Sequence, residues 1–255
     1  MLVDVLPASV YVFFVVFTRL AACIALLPGM GESYVSMRSR LALALVVTFV
    51  LVPVLENAIP PEPATVAPLV LLIAGEATVG TFIGLIARAI LGATATAGMI
   101  VANMISLANA FTQDATQAQQ ASIVGSFLSA VALVVIFATG LHHMFFRALV
   151  DSYSLFIPGE AIPFADVSMV MSMLVNNTFA LAVQMALPFI VVGMVFFIGL
   201  GFMAKLMPQM QVFFVAMPAQ ILLGLVVFLF SMTVMMRSFV LKFEEIFASM
   251  LSGQI

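Results

Sequence analysis

The sequence has no tryptophan, one cysteine, two histidines and few charges. A single cysteine cannot close a disulfide within its own chain, and with two histidines it cannot complete a four-ligand zinc centre, so a stapled secreted fold and zinc chemistry are both excluded. Charged residues make up 7% of the chain, where soluble domains carry ~25%. Eight Lys and Arg against eleven Asp and Glu leave a formal net charge of −3. No basic surface of that size can neutralise a run of phosphates, which excludes nucleic acid as a partner. Tyrosine occurs only at Tyr11, Tyr34 and Tyr153, so the aromatic belt of lipid-facing helices is nearly missing and much of the apolar surface is expected to touch protein. No His-Glu-x-x-His, G-x-S-x-G or P-loop occurs, and Ser, His and Asp form no constellation that argues for a nucleophile. His142 and His143 are adjacent and point ~100° apart on a helix, too divergent to chelate one ion together. The expectation is a protein without enzymatic activity, metal or cofactor.

What fills the 255 residues is apolar: 65% are hydrophobic and the mean hydropathy is +1.30, which also excludes disorder. A membrane-spanning helix needs ~20 mostly apolar residues. Stretches near 5–28, 41–55 with its flank, 66–87, 121–141, 179–204 and 209–236 qualify, so the fold class expected is an all-α membrane protein with about six apolar segments. Leu20-Ala21-Ala22-Cys23 has the look of a lipoprotein cleavage site, but the first eighteen positions carry Asp4 as their only charge where a secretory signal needs a positive start. The segment is therefore expected to stay as a helix. Pro28-Gly29 should end it, because Pro cannot continue a helix and Gly accepts left-handed torsions. Ile59-Pro60-Pro61-Glu62-Pro63 must be extended, since each Pro drives its predecessor out of the helical region. Arg38 and Arg40 in the first loop, with no Lys or Arg before Arg19, put the N-terminus outside by the positive-inside rule. No linker is long or Gly/Ser-rich enough to divide the chain, so residues 1–255 are expected to form one domain.

Charges inside apolar segments cost ~2.5–3.5 kcal/mol on insertion scales and are functional candidates by default. Arg19, Glu76 and Arg88 qualify. Glu76 and Arg88 are ~18 Å apart along a straight helix, so each needs another partner, in this chain or the next. Two readings stand side by side: a buried ion pair fixing helix register and a proton relay. Gly80, Gly84 and Gly98, among several alanines, are candidates for close helix packing; Gly80 and Gly84 fit a small-xxx-small spacing. Methionines cluster at Met203, Met207, Met210 and Met217, either as gap-filling core or, since Met adapts to many partners, as a seal around a moving polypeptide at Met207, Met210 and Met217. Residues 106–120 are polar and uncharged but for Asp114. Such a segment cannot lie in lipid, where its backbone groups would lack partners. Residues 238–252 place Phe239, Phe243, Ile246, Phe247, Met250 and Leu251 opposite Lys242, Glu244, Glu245 and Ser249, an amphipathic helix suited to a membrane surface or a partner.

The order of landmarks resembles the FliR/SctT family of type III export-gate proteins. It is carried by Arg38-Ser39-Arg40 before a helix ending at Pro53, Gly75-Glu76 with Gly80 and Gly84, Gly98-Met99, Phe111 with Asp114, Gly140-Leu141-His142-His143, Ser152 with Pro158-Gly159, Ala186-Leu187-Pro188, Pro208-Gln209-Met210-Gln211-Val212-Phe213, and Pro218 with Ile221 and Gly224. The chain departs from it in carrying Ser36 and Ala115 where the family often has Pro. The resemblance implies a subunit of a helical hetero-oligomeric gate, its N-terminal part FliP-like and its C-terminal part FliQ-like. Implied partners are FliP-like, FliQ-like, FlhB-like and FlhA-like proteins. Unfolded flagellar proteins would pass through it across the bacterial inner membrane at the flagellar basal body, with many hairpins raised toward the periplasm. It also implies that residues 106–120 form a pore plug, with Leu107, Asn109, Phe111, Gln113 and Asp114 in it, and that Arg19, Glu76 and Arg88 meet other charges within the assembly. The rival readings are a small-molecule secondary transporter, for which no convincing internal repeat is found, and a structural membrane scaffold.

Overall fold

The computed structural model describes residues 2–107, 122–207 and 212–251. Its regular structure is helical throughout: α1 (Leu2–Leu26), α2 (Met37–Leu55), a 3-10 turn (Glu56–Ala58), α3 (Val66–Met104), α4 (Ile123–Ala138), α5 (His142–Leu155), α6 (Phe164–Leu206) and α7 (Val212–Leu251). No strand occurs among the described residues.

The breaks follow local chemistry. After α1 the chain turns at Gly29, whose φ of +82° suits a residue without Cβ, and the Gly31 amide donates to the Leu27 carbonyl at 2.7 Å. Ser36 caps α2: its hydroxyl accepts from the Ser39 amide at 3.2 Å, satisfying an N–H that the helix cannot. Arg40 ties the loop to this helix by donating to the carbonyls of Glu32 and Val35. Residues 60–63 have no regular structure, as their prolines require. Gly140 at φ +77° separates α4 from α5, and Gly159 at φ +88° turns the chain before α6.

The chain divides into two compact units, one of Met1–Ala89, Thr139–Leu174 and Glu245–Ile255, the other of Ile90–Ala138 and Val175–Glu244. In the first, α1 buries Val15, Val16, Leu20, Cys23 and Ile24 at helical spacing, and Leu27 just after it is buried too. Tyr11, Val15 and Leu72 form a cluster under Ile59 and Leu69, and Phe145 of α5 meets Phe247 at 5.4 Å between ring centroids. In the second, α4 buries Val124, Leu128, Ala132 and Ile136, one residue per turn, and Phe228 of α7 contacts both Phe127 and Phe189 at about 6 Å.

Four stretches are long and apolar enough to cross a membrane: Met37–Ala58, Val66–Met104, Phe164–Leu206 and Ala216–Ser249, with a fifth if α4 and α5 count as one span. The sequence suggested about six. The described apolar part of α1, Val10–Leu26, is too short to count, and the 121–141 segment yields only the 16 residues of Ile123–Ala138, which count only when joined to α5. Residues 238–251 also differ from expectation: they continue α7 without interruption, and Phe239, Phe243 and Phe247 are fully buried. The apolar face offered for a membrane or partner is used inside the chain.

Candidate functional site

Two polar clusters stand out in a chain with few polar side chains, one in each unit. The first depends on how closely α1 and α3 approach. A Cβ at Gly80 would overlap the Arg19 carbonyl, and one at Gly84 would lie 2.9 Å from the Cys23 carbonyl and 2.8 Å from the Leu26 Cβ. Only glycine at both positions lets the two backbones touch. That contact sets Arg19 beside Glu76, one helical turn before Gly80.

Arg19 is fully buried and Glu76 is 2% exposed. The guanidinium grips the carboxylate with two parallel bonds, Nε to Oε2 at 2.7 Å and Nη2 to Oε1 at 2.8 Å, the geometry in which Arg binds carboxylates most strongly. Nη2 also donates to the Phe156 carbonyl at 2.9 Å, and Nη1 to the Ser152 hydroxyl at 3.1 Å. The Ser152 hydroxyl in turn donates a hydrogen bond to the Leu149 carbonyl at 2.7 Å. The guanidinium carbon lies 3.9 Å from the Tyr153 ring centroid, a cation–π contact strengthened by the burial of Arg19. Arg19 thus ties α1 to α3, to α5 and to the turn after it. The pair lines a cavity of about 850 Å³ together with Pro60, Pro61, Phe156 and Pro163. With both charges matched and nearly every donor placed, this cluster can hold helices in register.

The second cluster lies where α3 ends. Ser106 sits at φ +58°, the only positive φ outside glycine among the described residues. Its hydroxyl donates to Gln220 Oε1 at 2.8 Å, and Gln220 Nε2 donates to the Met104 carbonyl at 2.6 Å. Gln220 is 4% exposed, so both ends of its amide are satisfied away from water. Glycines again admit the approach: a Cβ at Gly224 would strike the Ile105 side chain, and one at Gly193 would press on the Met104 carbonyl at 3.3 Å. The chain enters the polar 106–120 segment from this fixed turn. Gly98 lies against the backbone of Gly125, and the hydroxyls of Thr94 and Ser129 meet at 3.0 Å one turn earlier on α3.

The remaining candidates are scattered. Arg88 is exposed on α3, so the chain itself does not bury it, unlike Arg19 and Glu76. Leu107 is half-buried, while Asn109, Phe111, Gln113 and Asp114 lie outside the described residues, as does Met210. Met207 is half-exposed and Met217 half-buried. Ser152, Tyr153, Phe156, Ser106 and Gln220 carry roles that no motif announces. A buried Arg needs several acceptors, and that need is the sequence-level pointer to a cluster of this kind; of its members only Ser152 stood among the family landmarks, with no role attached.

The profile of bacterial export proteins, family 1, matches residues 10–246. The chain is 35% identical to the flagellar biosynthetic protein FliR of Caulobacter vibrioides over 217 residues, 85% of this chain and 86% of that protein. It is 25% identical to the FliR of Bacillus subtilis, covering 91% of this chain and 89% of the relative, and 25% identical to that of Pectobacterium carotovorum subsp. carotovorum, covering 84% and 81%. With a match along nearly its whole length and several apolar helices, the chain is a membrane protein of flagellar export and belongs to the bacterial export proteins, family 1, the family of the flagellar biosynthetic protein FliR.

Proposed function

We propose that the chain is a subunit of the flagellar type III export gate. With FliP-like and FliQ-like subunits it forms the channel through which unfolded flagellar proteins cross the bacterial inner membrane, with FlhB-like and FlhA-like proteins as neighbours and the gate raised toward the periplasm. The observation that carries this reading, beyond family membership, is helix length. The 39, 43 and 40 residues of α3, α6 and α7 measure roughly 58, 65 and 60 Å at ~1.5 Å per residue. The hydrocarbon core is ~30 Å thick. Along α6, Phe164, Met169, Phe179, Leu187, Val195, Phe202 and Leu206 are exposed from one end to the other. Lipid cannot cover a bare apolar helix twice its own thickness, so other subunits cover the rest. In this reading residues 1–255 serve as one gate domain, with α3, α6 and α7 each supplying residues to both compact units.

In this reading residues 106–120 plug the pore, with Leu107 and Phe111 obstructing the lumen and Asn109, Gln113 and Asp114 solvated within it. Low charge lets such a segment move aside at modest cost, and the Ser106–Gln220 contact anchors its entry. Met207, Met210 and Met217 supply an adaptable apolar seal, and Arg88 meets a carboxylate of a neighbouring subunit. The Arg19–Glu76 pair fixes register and relays no proton. Deleting residues 109–117 tests the plug: assembled complexes then conduct ions and small solutes across the membrane. Intact complexes without added conductance would remove the plug from the reading.

A further inference from the structure

The cavity beside Arg19 and Glu76 lies wholly within the first compact unit. One wall is the start of α3 with the proline loop before it, and the other is the turn of residues 156–163 between α5 and α6. The walls meet at Gly159, where a Cβ would lie 3.6 Å from the Pro60 ring and 3.8 Å from the Leu72 side chain. The Arg19–Glu76 pair brings no free charge to this space, because each ion neutralises the other and Arg19 also donates to Ser152 and Phe156. Much of the remaining lining is apolar and open to the outside: Leu71, Leu155, Ile157 and Phe164 are all exposed. At about 850 Å³ the space falls in the ~300–1,000 Å³ range of binding pockets.

The lining is one-sided in charge and in hydrogen bonding. Between Arg40 and Arg88 the only charged residues are Glu56, Glu62 and Glu76, and between Arg147 and Lys205 only Asp151, Glu160 and Asp166. Both walls come from these two stretches, and Arg19 is the one Lys or Arg in the lining. Glu160 lines the cavity, Glu62 stands between the lining residues Pro61 and Pro63, and both carboxylates are exposed. Pro60, Pro61, Pro63, Pro68 and Pro163 each bring a carbonyl and no N–H. Other donors are spent: the amides of Glu160 and Phe164 on the carbonyls of Ile157 and Ile162, the Thr78 hydroxyl on the Ala74 carbonyl. An anion would find neither a free cation nor donors here, and a purely apolar occupant would leave the carboxylates unmatched. A free small cation would match them and leave the apolar walls bare. From this charge and donor imbalance we infer that the cavity docks a cationic segment of a partner protein, an apolar side chain filling the space and a Lys or Arg paired with Glu62 or Glu160. An apolar anchor with a complementary charge at the rim is how protein interfaces gain both affinity and register. The inference goes beyond the gate reading, which fixes the chemistry of no such contact, and holds whether or not the chain lines a channel.

The test uses the full chain in cells that assemble its complex. p-Benzoylphenylalanine, which bonds to adjacent C–H groups on irradiation, is placed at Ile157 or at Phe164, both exposed in the lining. The expected result is an adduct with a second protein, whose cross-linked peptide carries a Lys or Arg within one helical turn of the attachment. Glu62→Lys with Glu160→Lys cuts that adduct severalfold, whereas Glu244→Lys, at an exposed acid of the other unit, leaves it unchanged. Adducts are compared at equal amounts of chain in the membrane fraction. If the Lys pair lowers that amount, Glu62→Gln with Glu160→Gln replaces it and the same loss of adduct is expected. The absence of a protein adduct, attachment to a segment without a Lys or Arg, an adduct undiminished by removal of the two carboxylates, or an equal loss from Glu244→Lys would each overturn the inference. None of these results decides whether the chain forms a channel.

Discussion

Arg19 and Glu76 illustrate how a chain can carry a charge pair inside an apolar body. Burying either ion alone costs several kcal/mol, and the mutual attraction repays this only with good geometry and further hydrogen bonds. Both conditions hold: the contact is bidentate, and Ser152 and Phe156 take up two further guanidinium protons. Glu76→Gln removes the anion and leaves Arg19 uncompensated, a loss of about 3–5 kcal/mol by analogy with other broken buried pairs. The expected outcome is a sharp drop in the yield of chain and complex, read from membrane fractions and gel filtration. Replacing both partners with apolar residues, Arg19→Met with Glu76→Leu, should recover most of that yield, because no bare charge remains. A proton relay gives the opposite pattern: Glu76→Gln assembles normally while export stops, and the double replacement assembles but stays inactive. The sequence marks both residues as costly and states that Glu76 needs a partner other than Arg88. It does not identify that partner, because the two are 57 positions apart on different helices, and local spacing can only exclude the nearer candidate, Arg88.

The same two helices show what their glycines contribute. A methyl group added at Gly80 would meet the backbone carbonyl of Arg19, which cannot rotate aside as a side chain would. α1 must then shift and draw Arg19 away from Glu76. Gly75, five residues earlier on α3, has nothing within 4 Å of where its Cβ would be. Gly80→Ala should therefore destabilise by roughly 1–3 kcal/mol, as overpacking does. Gly75→Ala should be neutral or gain up to ~1 kcal/mol from better helix propensity. Thermal unfolding of the purified complex separates the two, and equal midpoints for both variants would show that close approach at Gly80 is unimportant. Glycine and proline made two element boundaries legible, the end at Pro28-Gly29 and the extended prolines at 60–63, both from torsional preference; the turns at Gly140 and Gly159 were not anticipated, because a lone glycine in or near an apolar run does not by itself mark a break. Helix length was not legible. A search for ~20-residue apolar windows is set by bilayer thickness, so it cut α3, α6 and α7 short wherever hydropathy dipped, although the backbone hydrogen bonding continues. The C-terminal amphipathic stretch was cut from α7 for the same reason.

The whole chain leaves more apolar surface uncovered than a single bilayer can shield. Soluble monomers rarely expose contiguous apolar patches beyond a few hundred Å², and a membrane monomer is bare only across one hydrocarbon thickness. Here the exposed Leu, Val, Ile, Met and Phe extend along helices of roughly 60 Å, and Arg88 stands among them exposed, with no ion pair among the described residues. A fold of this kind is finished by its neighbours. The chain produced alone should therefore fail to give a monodisperse particle: in detergent it should aggregate or be degraded, since a micelle belt of bilayer height leaves the outer turns of α3, α6 and α7 uncovered. Produced together with FliP-like and FliQ-like subunits it should elute as one discrete species, and its half-life in cells should lengthen, as expected when binding selects the folded state. Gel filtration with light scattering and a pulse-chase measurement read both effects. Arg88→Glu should weaken this rescue without altering the fate of the chain produced alone, because it changes only the charge offered to a neighbouring carboxylate. A chain that is stable and monomeric by itself, with gel filtration unchanged by the added subunits, would show that its bare helices need no protein cover and would remove the physical basis for the multi-subunit gate.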